Sequence, residues 1–206
     1  MPTAYDYRAS AREILGGNIF RPAWLLALVV CLLSTLPSAN ISADSDSPLS
    51  IAIAISMAAA GFIVSGPIEF GISSYFLKLT RDESISLRNA FDGFAQDFGG
   101  NFLLYLMQRL FIFLWSLLFV IPGVIKAYAY SMAFYIKNDH PEYGWKKCLD
   151  ESRRIMHGNK MRLFCLQISF IGWYLVGALC LGVGTLFVVP YEKAAVTEFY
   201  NDIKDN

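Results

Sequence analysis

The chain predicts an all-α fold, a polytopic membrane helical bundle of about six spans. It is built as three repeated helical hairpins, each preceded by an interfacial amphipathic helix. Three observations carry the prediction. The composition is apolar, with 55% hydrophobic residues among 206 and a mean hydropathy of +0.44. Charged residues make up 17%, against about 25% in an ordinary soluble domain, and they collect between the apolar runs. Those runs are long enough to cross a hydrocarbon core of about 30 Å, where a helix satisfies its own backbone polar groups.

Residues 1–20 predict a short helix ended by Gly16-Gly17. Tyr7, Ala11, Ile14 and Leu15 share one face, with Arg8, Arg12 and Glu13 elsewhere. That pattern suits a helix lying at headgroup level. Residues 22–39 form the first span, with Trp24 just inside it, where an interfacial indole is expected. Basic residues before the span and Pro37-Ser38-Ala39 after it imitate a secretory signal. The long, patterned segment ahead of it favours an uncleaved span. The polar stretch that follows carries Asp44 and Asp46 and no Lys or Arg.

Residues 49–79 make a longer apolar run interrupted by Gly66-Pro67, which predicts a kinked or two-part helix. Residues 80–100 are polar, with Leu87, Phe91, Phe94 and Phe98 at helical spacing. They read as a second amphipathic helix, capped by Ser84 or Ser86 and closed by Gly99-Gly100. Residues 101–121 are the next span, with Arg109 inside it. Ile121-Pro122-Gly123 then makes a tight turn into a short span at 124–137. Residues 138–162 form the third polar helix. The last hairpin, 164–200, breaks at Leu181-Gly182-Val183-Gly184 and holds Pro190, Glu192 and Lys193 in its second limb. A five-span alternative would run 163–189 as one helix.

Charge orients the bundle. Of the 17 Lys and Arg residues, all but Arg109, Lys126 and Lys193 fall in the segments before spans one, three and five, at the span ends that lead into those segments (Lys78 and Lys137), or in the tail. The opposite loops hold none, so both termini are expected in the cytoplasm.

An internal repeat supports an even number of spans. Gly-Asn closes the polar segment three times, at Gly17-Asn18, Gly100-Asn101 and Gly158-Asn159. Gly61, Pro67, Glu69, Ser74 and Phe76 lie 123 residues before Gly184, Pro190, Glu192, Thr197 and Phe199. The units are 1–79, 80–137 and 138–206 within a single membrane domain. The middle unit is the weakest match, with Tyr128, Tyr130 and Ser131 where the others carry Pro and Glu.

Two stretches carry a resemblance to a known family: IPGVIKAYAYSMAFYI from Ile121, and RLFCLQISFIGWYLVGALCLGVGTLFVVPY from Arg162. They resemble the bacterial integral-membrane family called domain of unknown function 975. That family is more distantly similar to the membrane domain fused to some glycerophosphodiester phosphodiesterases. The resemblance implies a multi-pass protein of the bacterial cell membrane with no established activity.

The candidate polar site is Glu69, Glu192, Arg109, Lys126, Tyr128 and Tyr130. An ionisable group within a span costs about 2.5–3.5 kcal/mol for Asp, Lys or Arg at the helix centre, and each Glu follows a proline by two residues. The functional reading is a site between hairpins for a cation, a proton or a lipid headgroup. The structural reading is a clasp, with Glu192 paired to Lys126, Arg109 or Lys193. Arg109 is expected to snorkel toward phosphate level and Lys126 toward the outer headgroups. Lys146, Lys147, Arg153, Arg154, Lys160 and Arg162 are candidate contacts for anionic lipid headgroups.

A net charge of zero gives nucleic acid no electrostatic support. Cys31, Cys148, Cys165 and Cys180, with His140 and His157, lack metal-ligand spacing, and no hydrolase, kinase or nucleotide motif is present. No cofactor, metal or catalytic residue is therefore expected. Two functions fit: a non-enzymatic membrane scaffold, accessory or immunity-type partner, which is the default, and a small carrier or lipid-handling transporter. Homo-oligomerisation or a membrane-protein partner is compatible with both.

Overall fold

The computed structural model describes residues 2–16, 27–29, 48–81, 83, 86–179 and 183–204. Most of the first expected span lies outside these residues, as do Trp24, Gly17-Asn18, Asp44, Asp46 and Gly182. Among the described residues every regular element is helical. Three helices are long and apolar enough to cross a membrane, over Ser50–Thr80, Phe98–Leu118 and Lys160–Leu179.

Helix α1, Ala4–Ile14, begins at Thr3, whose N–H donates to Asp6 Oδ2 at 2.6 Å, and ends at Gly16 with φ 87°. Its expected apolar face is buried at Tyr7, Ala11 and Leu15. That face packs on α8 (Lys160–Leu179) and α9 (Val183–Ile203), so its burial is against protein.

Helix α2, Pro48–Thr80, runs through Pro67 as one element rather than two. The Gly66-Pro67 pair marks a close approach. A Cβ on Gly66 would lie 2.8 Å from the Asn101 carbonyl oxygen, and one on Gly93 only 2.0 Å from that of Pro67. The small residues let neighbouring backbone reach α2 at that level.

Residues 80–100 are not one amphipathic helix. Ser86 caps a 3-10 turn, Leu87–Phe91, accepting from the Arg88 N–H, and α3, Asp92–Ala95, follows. Asp97, at φ 50°, then caps α4, Phe98–Leu118, by accepting from the Gly100 N–H. Gly99-Gly100 therefore opens the next helix instead of closing this one. Of the Gly-Asn pairs within the described residues, only Gly158-Asn159 lies in a turn after a helix, with Gly158 at φ 83°.

The turn after α4 sits at Phe119, which is extended (φ −159°, ψ 146°), and α5 spans Val120–Tyr130. Ile121-Pro122-Gly123 thus forms the first turn of α5, where proline's missing N–H costs no helical hydrogen bond. The expected span at 124–137 divides at Ser131-Met132 into α5 and α6, Ala133–Asp139. Buried Ser152, on α7 (Trp145–Ile155), bridges the break: its hydroxyl donates to Ala129 O at 2.9 Å and accepts from Met132 N–H at 3.2 Å. One side chain satisfies both backbone groups that the interruption leaves without helical partners.

Helices α8 and α9 are separate, which rules out one helix over 163–189. A Cβ on Gly177 would stand 2.8 Å from the Gly184 carbonyl carbon. Seven residues of continuous helix would separate those positions by about 10 Å, so the chain doubles back between them.

Candidate functional site

Three polar residues, on α2, α4 and α9, stand at one level. Glu69 lies eleven residues before Thr80, Arg109 eleven after Phe98, and Glu192 eleven before Ile203. These three helix ends are tied together. Asp139, at the end of α6, accepts from Arg81 Nη1 and Nη2 at 2.8 Å each and from Tyr200 Oη at 3.0 Å, binding the ends of α2, α6 and α9. Lys137, also on α6, donates to Asp97 Oδ2 at 2.9 Å beside the start of α4. At 1.5 Å per residue the three side chains are each about 16 Å from that common end.

All three line one cavity of about 240 Å³, with Tyr105, Gln108, Gln167 and Lys193 among its other polar walls. Lys193 Nζ stands 3.4 Å from Glu69 Oε1. The Glu192 carboxylate accepts a short hydrogen bond from Tyr174 Oη. Arg109 stacks over the Tyr105 ring at 5.0 Å, and no carboxylate among the described residues lies within ion-pair distance of it. The clasp thus joins Glu69 to Lys193, while Glu192 pairs with none of Lys126, Arg109 or Lys193.

The remaining candidates sit around this centre. Tyr128 Oη donates to Gln167 Oε1 at 2.7 Å, behind the cavity wall. Tyr130 offers its carbonyl to Gln108 Nε2 at 3.1 Å, an interaction of its backbone rather than its phenol. Lys126 lies apart, its ammonium 4.6 Å from the centroid of Trp115 and 5.9 Å from that of Tyr130. Tyr105, Gln108, Gln167 and Tyr174 were not among the sequence candidates. Two glutamine amides inside apolar runs are the signal that marks this wall, since a buried amide needs partners.

The basic residues of 145–162 divide by burial. Cys148, Leu149, Ser152 and Ile155 turn inward on α7, and burial pushes the Cys148 thiol up to about 11. Lys146, Lys147, Arg153 and Arg154 are exposed. Lys147 sits 3.5 Å above the Tyr143 ring, and Arg154 Nε is bound to Glu151 at 3.0 Å. Lys160 is half-buried. Arg162 is committed internally: its Nη2 donates to Tyr7 Oη at 2.5 Å and to Asp202 Oδ2 at 2.8 Å. Among the described residues no group of three His, Cys, Asp or Glu side chains is placed to hold a metal ion.

A family model described as "Protein of unknown function (DUF975)" matches residues 1–129 and 117–206. No curated protein and no solved structure matches the chain. Since the two matches together cover it from end to end, the chain belongs to the DUF975 family, whose function is unknown.

Proposed function

We propose that this chain is a multi-pass protein of the bacterial cell membrane, with both termini in the cytoplasm, and that it handles a polar group within the bilayer. The reaction class is carriage or lipid handling, with no catalytic step assigned. One observation carries the reading: Glu69, Arg109 and Glu192, drawn from three different helices, meet at one depth on one cavity. A purely structural clasp needs one carboxylate and one cation, as Glu69 and Lys193 supply. It does not call for a second carboxylate and a guanidinium on the same cavity, each costly in hydrocarbon.

The test is reconstitution. Lipid flipping and solute flux across vesicles are measured for wild type and for the Glu69→Gln/Glu192→Gln double variant. Wild-type activity with at least a tenfold loss in the variant is expected. Absent activity, or equal activity in both proteins, would overturn the reading.

The scaffold or accessory reading keeps one specific support, the exposed Lys146, Lys147 and Arg153 on α7. Each cation near an anionic leaflet contributes about 1 kcal/mol, so α7 is suited to hold this end of the bundle on phosphatidylglycerol-rich membrane or an acidic partner. The two readings use different surfaces, and the double variant leaves α7 untouched.

A further inference from the structure

The lining charges of the cavity specify the kind of guest more narrowly than "polar". Four acidic or basic side chains line it: Glu69, Arg109, Glu192 and Lys193. Glu69 and Lys193 face each other at 3.4 Å and offset one another. Glu192 is met by a tyrosine hydroxyl and Arg109 by a tyrosine ring. Neither has an oppositely charged side chain within ion-pair distance among the described residues. What remains on offer is one carboxylate and one guanidinium.

We infer that the cavity takes a small zwitterion, the phosphoethanolamine headgroup of a bilayer lipid, with its amine at Glu192 and its phosphate at Arg109. The inference rests on the carrier or lipid-handling reading above and names the substrate class of that same site. A guest with a single charge leaves one lining charge uncompensated within an apolar helix bundle, where an unpaired ion is costly under the membrane reading. A zwitterion answers both. The guanidinium presents a planar fork that fits two phosphate oxygens, and the amine supplies three donors to a carboxylate that holds one hydroxyl.

Size and access point to the lipid as the source. At about 240 Å³ the cavity is smaller than the roughly 300–1,000 Å³ of sites that enclose a drug-sized ligand. It has room for a headgroup but none for acyl chains. Arg109 on its wall is exposed, and the helix surface next to it is apolar, with Leu110 42% and Phe113, one turn on, 62% exposed. A headgroup entering there leaves its chains against that surface, where hydrocarbon belongs.

The test uses the full-length protein in nanodiscs of equal phosphatidylethanolamine and phosphatidylglycerol, with retained lipids counted by native mass spectrometry. Wild type is expected to retain phosphatidylethanolamine over phosphatidylglycerol by roughly tenfold, the effect of one charge-assisted contact. Glu192→Gln should bring the ratio near one and Arg109→Gln should lower retention of both lipids, whose phosphate is common, while Glu13→Gln, exposed on α1 and outside the cavity, leaves both unchanged. Equal retention of both lipids by wild type, a result that needs no variant to fold, overturns the zwitterion and leaves the cavity a lipid site. Retention of neither lipid, with no flipping or flux in vesicles, overturns the cavity reading as well. Soluble phosphoethanolamine, added to the lipid-stripped protein in detergent, separates the sources. Absence of a melting shift alongside lipid retention supports the lipid. A shift without lipid retention overturns it in favour of a soluble guest.

Discussion

Asp139 shows how a single residue closes the polar end of the bundle. Burial raises its carboxyl pKa, but the two-pronged contact with Arg81, the Tyr200 hydroxyl and the nearby Lys204 hold it below the usual aspartate value. A depressed native pKa stabilises the fold in full above about pH 4, the ordinary aspartate value. That contribution is lost as pH falls through the native value. Asp139→Asn should lower stability at pH 7 by about 1.5–3 kcal/mol, the worth of hydrogen bonds to a charged group. Thermal melts in detergent from pH 7 to pH 3 check the sign: the wild type should lose more of its melting temperature below pH 4 than the variant does. The sequence shows Asp139 only as one acid in a polar segment. Its three partners come from residues 81, 200 and 204, too distant in the chain for local spacing to reveal.

At the scale of elements, the breaks are where pattern reading and structure part. Hydrophobic periodicity locates apolar helices well because burial is a property of many residues at once. A helix end depends on a few backbone groups and on what satisfies them. Ser152 supplies those partners from α7, so the division of α5 from α6 could not be read in residues 124–137 themselves. Ser152→Ala leaves the Ala129 carbonyl and the Met132 N–H without that hydroxyl, and a loss of about 1–3 kcal/mol is expected in denaturant or thermal unfolding. Glycines on α8 give a paired test. Gly177→Ala would set a Cβ 2.7 Å from the Thr185 nitrogen, whereas a Cβ on Gly172 meets nothing within 4 Å. The first should destabilise by about 1–3 kcal/mol through overpacking. The second should stabilise by about 0.5–1 kcal/mol through lost chain entropy. Equal melting temperatures for the two variants would contradict the α8–α9 contact.

At the scale of the whole molecule, the two ends of the chain meet. Tyr7 on α1 donates to Asp202 on α9 at 2.6 Å, and Arg162 at the start of α8 binds both. An even number of crossings follows under the proposed membrane reading, and the distribution of Lys and Arg supports the cytoplasm as the shared side. In a cysteine-free background, single cysteines at Thr3 and Lys204 should both resist a membrane-impermeant thiol reagent in intact cells and both react after lysis. Labelling of one position alone in intact cells would contradict the paired ends.

Much of this architecture was legible in the residues alone. The apolar runs, their charge-bearing flanks, the Gly16 stop and the oddity of Glu69 and Glu192 follow from composition and spacing, while the choice of Ser86 over Ser84 as a cap, and of a 3-10 turn for it to cap, does not. Arg109 was visible as an ionisable group in an apolar run, though nothing in the chain order says what it faces. Tertiary structure decided the rest. It assigned Lys193 to Glu69 and Tyr174 to Glu192, moved Gly99-Gly100 into a helix start, and set Lys126 on Trp115, apart from the cavity. It also brought three polar residues from three helices to one depth. Apolar patterning states how strongly each helix avoids water. Which polar side chains then meet depends on rotation and offset between helices, and packing contacts such as those at Gly66, Gly93 and Gly177 set these.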